Sequence, residues 1–326
     1  MPRPLSRCAR TLAGTVAAGV LLPLTALAAA PASAAEPKRA PGTVSERPAD
    51  RPGKDAAAQV RCASGDAALA AKLERDLGTA LRERAGTVAL GLHDRSTGTS
   101  CTLRAAEAFD SASIVKVTVF AALLWDAERE GRALTKTEEA RAEASITRSD
   151  NKATSALWKQ LGPKKVRAFL AAAGMHDTVP GPDRFWGLTQ VTAGDEQRLL
   201  DLVTRENGVL GADSRARLLA EMAAVVPDQR WGTPSGAPAT ELAHLKNGWL
   251  KRDRDGWRVH SLGAFQGAGR DYTMTVLTRG NKTFAYGVDT VERLARAAHR
   301  DLGNHTAPAR ALPVLRGVQP PPLLAA

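Results

Sequence analysis

The sequence predicts an α+β fold: an antiparallel five-stranded sheet with flanking helices, and an all-helical half beside it. Three observations lead there. Residues 87–94 and 99–104 read as a hairpin around Ser96-Thr97-Gly98, near the start of the globular part. Residues 114–224 carry helical patterns throughout. Strand patterns return at 242–251, 257–266 and 271–279, and a helix at 288–302 closes the domain. A further helical pattern over Asp66–Ala85 supplies a second helix to flank the sheet. No internal repeat is evident, and one unit of two subdomains fits the length.

The chain ends read differently. Arg3, Arg7 and Arg10 precede the apolar run TLAGTVAAGVLLPLTALAAA, and Ala32-Ser33-Ala34 follows as an A-x-A cleavage site. Residues 1–34 are therefore expected to be a secretory signal peptide. Cys8 lies in its basic head, too early to accept a lipid. Residues 35–58 are rich in proline and charge and read as a flexible leader, and 303–326 read as a disordered tail. The globular domain is expected over 59–302. There is no other long apolar segment, so the processed chain is expected to be an exported, soluble monomer without a membrane partner.

Composition narrows the function classes. The formal charge is +11, and residues 1–34 hold three arginines and no acids, so the processed chain carries +8. Such a balance can indicate nucleic acid or an anionic surface. Here the cations are scattered, no basic stripe is interleaved with aromatics, and the chain is read as exported. Anionic wall polymers or plain solubility explain the charge better than nucleic acid. His93, His176, His244, His260, His299 and His305 show no paired-ligand spacing, so neither metal nor cofactor is expected. Cys62 and Cys101 form an even pair in an oxidising compartment, which favours a disulfide. Closing a loop of about forty residues contributes roughly 4 kcal/mol in the chain-entropy description.

Three short motifs carry the chemistry. Ser113-Ile-Val-Lys116 opens an apolar helix, IVKVTVFAALLWDAERE, which places Lys116 one turn beyond Ser113 on the same face. A serine hydroxyl needs a neighbouring base, and a buried lysine has its neutral form favoured. Ser149-Asp150-Asn151 precedes another helical pattern. Alone it would read as a helix cap. Lys246-Asn247-Gly248 lies in a strand pattern, ELAHLKNGWLKRD, although K-N-G is also a good turn sequence. Ser149 even begins a second SxxK, with Lys152, but it closes a charged stretch rather than opening an apolar one.

In this order the trio resembles the SxxK, SDN and K-T/S-G elements of the penicillin-recognising serine hydrolases. That group includes class A β-lactamases and D,D-peptidases, and the resemblance covers residues 60–302. It implies that Ser113 attacks an amide or β-lactam carbonyl, Lys116 takes its proton, and Ser149 passes a proton to the leaving nitrogen. It implies that Asn151 contacts the acyl side chain and Lys246 attracts a substrate carboxylate. Gly248 would leave room for close approach, and the N–H groups of Ser113 and Trp249 would hold the oxyanion. The implied partner is a small β-lactam or a cell-wall peptide.

Two departures qualify that resemblance. The middle of the third motif is Asn247 where the family has Thr or Ser, leaving an amide to bind the carboxylate. Class A enzymes also carry a loop glutamate that activates water, yet no Glu stands between Glu143 and Glu196 here. The shortened loop offers only Asp177 and Asp183, of which Asp183 is the candidate substitute base. Slow turnover is therefore expected. A protein of another class, a sensor or binder that is acylated once or merely holds wall peptides, is the alternative. Arg258 is expected on the surface, and Trp186, Trp231 and Trp257 in the core or rim.

Overall fold

Asp66 starts the first helix by accepting the N–H groups of Ala68 at 2.8 Å and Leu69 at 3.2 Å. That helix, α1, runs Ala67–Ala80 and stops short of the expected Ala85. Left-handed backbone at Glu83 and Gly86 then turns the chain into the sheet. The structure, a computed structural model, describes residues 59–267 and 269–303 of the chain. The expected signal peptide, leader and residues 304–326 of the tail lie outside the described residues.

The strands are β1 (Arg61–Ala63), β2 (Thr87–Asp94), β3 (Thr99–Leu103), β4 (Phe109–Asp110), β5 (Gln190–Val191), β6 (Leu242–Arg252), β7 (Gly256–Gly267) and β8 (Arg270–Arg279). One antiparallel sheet has the order β1-β3-β2-β8-β7-β6, and β4 pairs separately with β5. The sheet thus has six strands rather than the expected five. The addition is β1, three residues with no alternation to announce them. Its pairing places Cys62 opposite Cys101, and the two form a disulfide with Cα atoms 4.0 Å apart.

Side-chain alternation divides the sheet between two cores. Val88, Leu90 and Leu92 of β2 face Leu69, Leu73 and Leu77 of α1, together with Val291 and Leu294 of the last helix, α7 (Phe284–Gly303). Ala89, Leu262, Ala264 and Leu277 face the opposite way, into the helical half. At the centre of that half is α2, Val115–Arg129, buried continuously from Val115 through Leu124. A helix apolar all round must be enclosed on all sides, and this one is.

Around it lie α3 (Lys136–Thr147), α4 (Asn151–Ala172), α5 (Ala193–Thr204) and α6 (Ala212–Ala223). A capping box opens α3, with Thr135 accepting from the Glu138 N–H and the Glu138 carboxylate accepting from the Thr135 N–H. Gly162, at φ 66°, precedes Pro163 and breaks α4 into two pieces. Among the described residues no helix is long and apolar enough to cross a membrane.

Candidate active site

Three elements meet where the sheet edge touches the helical half. The first is the 3₁₀ turn Ala112–Ile114, which carries Ser113 into the start of α2. Ala112 has φ 49°, a left-handed conformation that an alanine adopts only when its surroundings hold it there. Ser111 shows what does the holding. Its N–H donates to Thr189 O at 2.8 Å and its hydroxyl to Gly187 O at 3.4 Å, tying the turn to the loop before α5. Beneath it, His260 accepts the Thr278 N–H on Nδ1 at 3.1 Å and donates from Nε2 to Asp110 O at 2.8 Å. These contacts fix its neutral tautomer, and burial pushes its pKa down to about 4.

The second element is the turn before α4. Asp150 caps the helix by accepting from the Ala153 N–H at 2.7 Å. Ser149 is left-handed, with φ 57°. Its hydroxyl lies between two amines, 3.0 Å from Lys116 Nζ and 3.1 Å from Lys246 Nζ. Lys116 also donates to Ser149 O at 2.5 Å and to Asn151 Oδ1 at 2.8 Å. All three partners lie on the Ser149–Asn151 turn, and no hydrogen bond among the described residues joins Lys116 to Ser113.

The third element is β6, at the sheet edge. A Cβ built on Gly248 would stand 2.8 Å from the backbone nitrogens of both Ser113 and Ile114, so only glycine fits there. Lys246 Nζ donates to Asn247 O at 3.0 Å as well as to Ser149. Asn247 is directed away from the cleft. Its Nδ2 donates to Gln229 O and Trp231 O, both at 2.8 Å, so the donor expected for a substrate carboxylate is occupied by a loop. Trp249 is 37% exposed and packs in an aromatic cluster with Trp231 and Phe284.

The electrostatics follow from burial. Lys116 and Lys246 are both fully buried. Desolvation brings Lys116 down to about 7, opposed by the Asp150 charge. Desolvation also holds Lys246 well below the usual lysine range, and the neighbouring Lys116 charge pushes it further down. Two amines that share one hydroxyl cannot both comfortably carry a proton in so dry a place.

Above them opens a cleft of about 380 Å³, lined by Ser113, Asn151, Phe185, Trp186, Trp249 and their neighbours. Its far wall is the loop between α4 and α5. Two indoles sew that loop to α4, Trp158 Nε1 donating to Asp183 O at 2.8 Å and Trp186 Nε1 to Ser155 Oγ at 3.0 Å. Asp195 holds its base by accepting from Asp177 N and Thr178 Oγ1. Asp177 and Asp183 are exposed, and neither lines the cleft. Arg258, expected on the surface, is only 7% exposed and pairs with Asp110 at 3.2 Å. Among the described residues no group of three or more potential metal ligands converges.

A family model described as the beta-lactamase enzyme family matches residues 72–144 and 139–302. The chain belongs to the β-lactamase enzyme family. LppW of Mycobacterium tuberculosis, which carries a lipoprotein name, is 29% identical over 198 residues, covering 58% of this chain and 62% of LppW. Among solved structures, the β-lactamase from Streptosporangium roseum is 23% identical with a TM-score of 0.59, covering 72% of this chain and 99% of that one. A representative class A β-lactamase from Bacteroides cellulosilyticus has a TM-score of 0.63 at 16% identity, with 72% and 98% covered. PBP-A has a TM-score of 0.63 at 18% identity, with 72% and 96% covered. These structures share the β-lactamase fold of an antiparallel sheet beside a helical half.

The structure brings Lys116, Ser149, Asn151 and Lys246 into direct contact, with Ser113 and Trp249 in the adjoining cleft wall. It takes the Asn247 side chain elsewhere. Sequence reasoning missed the strain at Ala112 and Ser149, which no residue type announces. It also missed Glu196, fully buried on α5 with neither carboxyl oxygen partnered among the described residues. Desolvation raises Glu196 to about 8, so it is protonated at neutral pH.

Proposed function

We propose that this protein is an exported serine hydrolase that opens an amide or β-lactam carbonyl through an acyl-Ser113 intermediate. The observation that carries the reading is the Ser149 hydroxyl suspended between the Lys116 and Lys246 amines, with Lys116 one helical turn beyond Ser113. Neutral Lys116 takes the proton of the Ser113 hydroxyl as Oγ bonds to the carbonyl carbon. The N–H groups of Ser113 and Trp249 hold the oxyanion that forms. As the C–N bond breaks, Ser149 gives its proton to the leaving nitrogen and recovers one from Lys116. Lys246 stands ready for a substrate carboxylate, and Asn151 for the acyl side chain.

A second reading has its own support. The loop wall of the cleft presents Phe185 and Trp186 where a water-activating carboxylate would be needed, and Asp177 and Asp183 lie outside. A chain that is acylated and stays acylated serves as a sensor or binder of wall peptides. Export is favoured by the signal-like residues 1–34 and by the lipoprotein name of the LppW relatives.

Labelling with a fluorescent penicillin, followed by intact-mass measurement, tests both readings. The wild type gains one adduct, and Ser113→Ala gains none. Adduct on Ser149 instead would overturn the assignment. Steady hydrolysis separates the enzyme from the sensor.

A further inference from the structure

Lys116 meets one group that no part of the proposed mechanism uses. Its Nζ lies 4.8 Å from the ring centroid of Trp186, over the face of the indole. The ring does not arrive there loosely. Its Nε1 donates to Ser155 Oγ on α4, and its 3₁₀ turn, Trp186–Leu188, is bound to Ser111 through Gly187 O and Thr189 O. The indole is thus fixed from both sides, with its π face toward the amine.

The chemistry of a buried base makes that contact consequential. Burial alone favours neutral Lys116 but also makes the amine a feeble base, because the ammonium it must become is poorly solvated. An indole face attracts a cation and is nearly indifferent to a neutral amine. The groups around Lys116 are Ser149 and Asn151 as hydrogen-bond acceptors, Asp150 as a favourable charge, Lys246 as an unfavourable one, and Trp186.

We propose that Trp186 is a positioning residue for Lys116. Its π face supports the ammonium formed when Lys116 takes the Ser113 proton, so the loop before α5 reaches into the acylation step. This rests on the reading of Ser113 as nucleophile and Lys116 as base. The step balances: the Ser113 O–H bond breaks, an N–H bond forms on Lys116, and the electron pair freed on Oγ makes the bond to carbon.

The test compares wild type with Trp186→Phe and Trp186→Leu. Lys116 is titrated by the ¹³C resonance of its ε carbon in lysine-labelled protein, assigned with Lys116→Met. The pH profile of fluorescent-penicillin labelling is measured alongside. In Trp186→Leu both midpoints move to lower pH by about half a unit to one unit, the size expected of a lost cation–π contact. Trp186→Phe, which keeps a weaker π face, falls between. A Trp186→Leu midpoint equal to that of the wild type overturns the proposal, as does a Trp186→Phe midpoint as low as that of Trp186→Leu. Should Trp186→Leu fail to fold, wild type against Trp186→Phe decides, equal midpoints overturning it. If no acyl donor ever labels Ser113, the parent reading fails, while the resonance titration still decides this one.

Discussion

A methyl group added to Gly248 would stand 2.8 Å from the amide nitrogen of Ser113. The strand that carries Lys246 is therefore pressed against the turn that carries the candidate nucleophile, and their separation is set by one missing side chain. Gly248→Ala forces β6 outward or twists the Ser113 turn. Either movement displaces an N–H that the proposed mechanism assigns to the oxyanion. Acylation by a penicillin should fall about 10² to 10³-fold, the cost of losing one such donor. Overpacking should lower stability by only about 1–3 kcal/mol, leaving a folded protein. Stopped-flow labelling with a parallel thermal melt measures both, and near-normal acylation would refute the arrangement.

Acylation should depend on pH through Lys116. The ammonium cannot accept the Ser113 proton, and burial brings its pKa down to about 7. The labelling rate should rise as pH increases through about 7 and then level off. A profile flat from pH 5 to 9 would exclude Lys116 as the base.

The fate of the adduct follows from the loop. With Phe185 and Trp186 on the wall and no carboxylate lining the cleft among the described residues, hydrolysis of an acyl-Ser113 ester would lack a positioned base. Such a base typically contributes 10² to 10⁴-fold. A chromogenic β-lactam should give a burst of about one equivalent followed by slow turnover, with the adduct visible by mass. Fast steady hydrolysis without an adduct would refute this, and Asp183→Asn would then be the next variant.

Glu196 should make the protein less stable as pH rises. Its folded pKa, about 8, lies above the ordinary 4.5, so above pH 4.5 the unfolded chain releases a proton that the folded chain keeps. Stability is lost progressively from pH 4.5 up to about 8. Glu196→Met removes that loss and should add about 3 kcal/mol at pH 7, with less gained at pH 5. The buried histidines, held low, act in the opposite sense below their ordinary 6.5, but they are common to both proteins. Melting curves that run parallel from pH 5 to 8 would contradict the assignment.

Much of the fold could be read from residue patterns because it rests on long periodic segments. Strands β2, β3, β6, β7 and β8 have alternating or apolar patterns bounded by turns, and α2 begins at the predicted place. What pattern could not convey was three-residue β1, which exists because Cys62 and Arg61 find partners on β3. At the site, the three motifs singled out Lys116, Ser149 and Lys246, and the fold brings these side chains within hydrogen-bonding distance. Motif order could not foretell the orientation of Asn247, whose amide is claimed by carbonyls eighteen and sixteen residues earlier. Nor could it foretell the burial of Arg258, which depends on a carboxylate from a distant segment, Asp110. Long-range hydrogen bonds of this kind leave no local trace.

The grip of Asn247 on Gln229 and Trp231 gives the molecule a built-in optical reporter. Trp231 touches Trp249 and Phe284, and Trp249 forms part of the cleft wall beside Ser113. A ligand that presses on β6 changes the surroundings of two coupled indoles at once, with no dye attached. Occupancy of the cleft can therefore be followed by intrinsic tryptophan emission, even for ligands that never form a covalent bond.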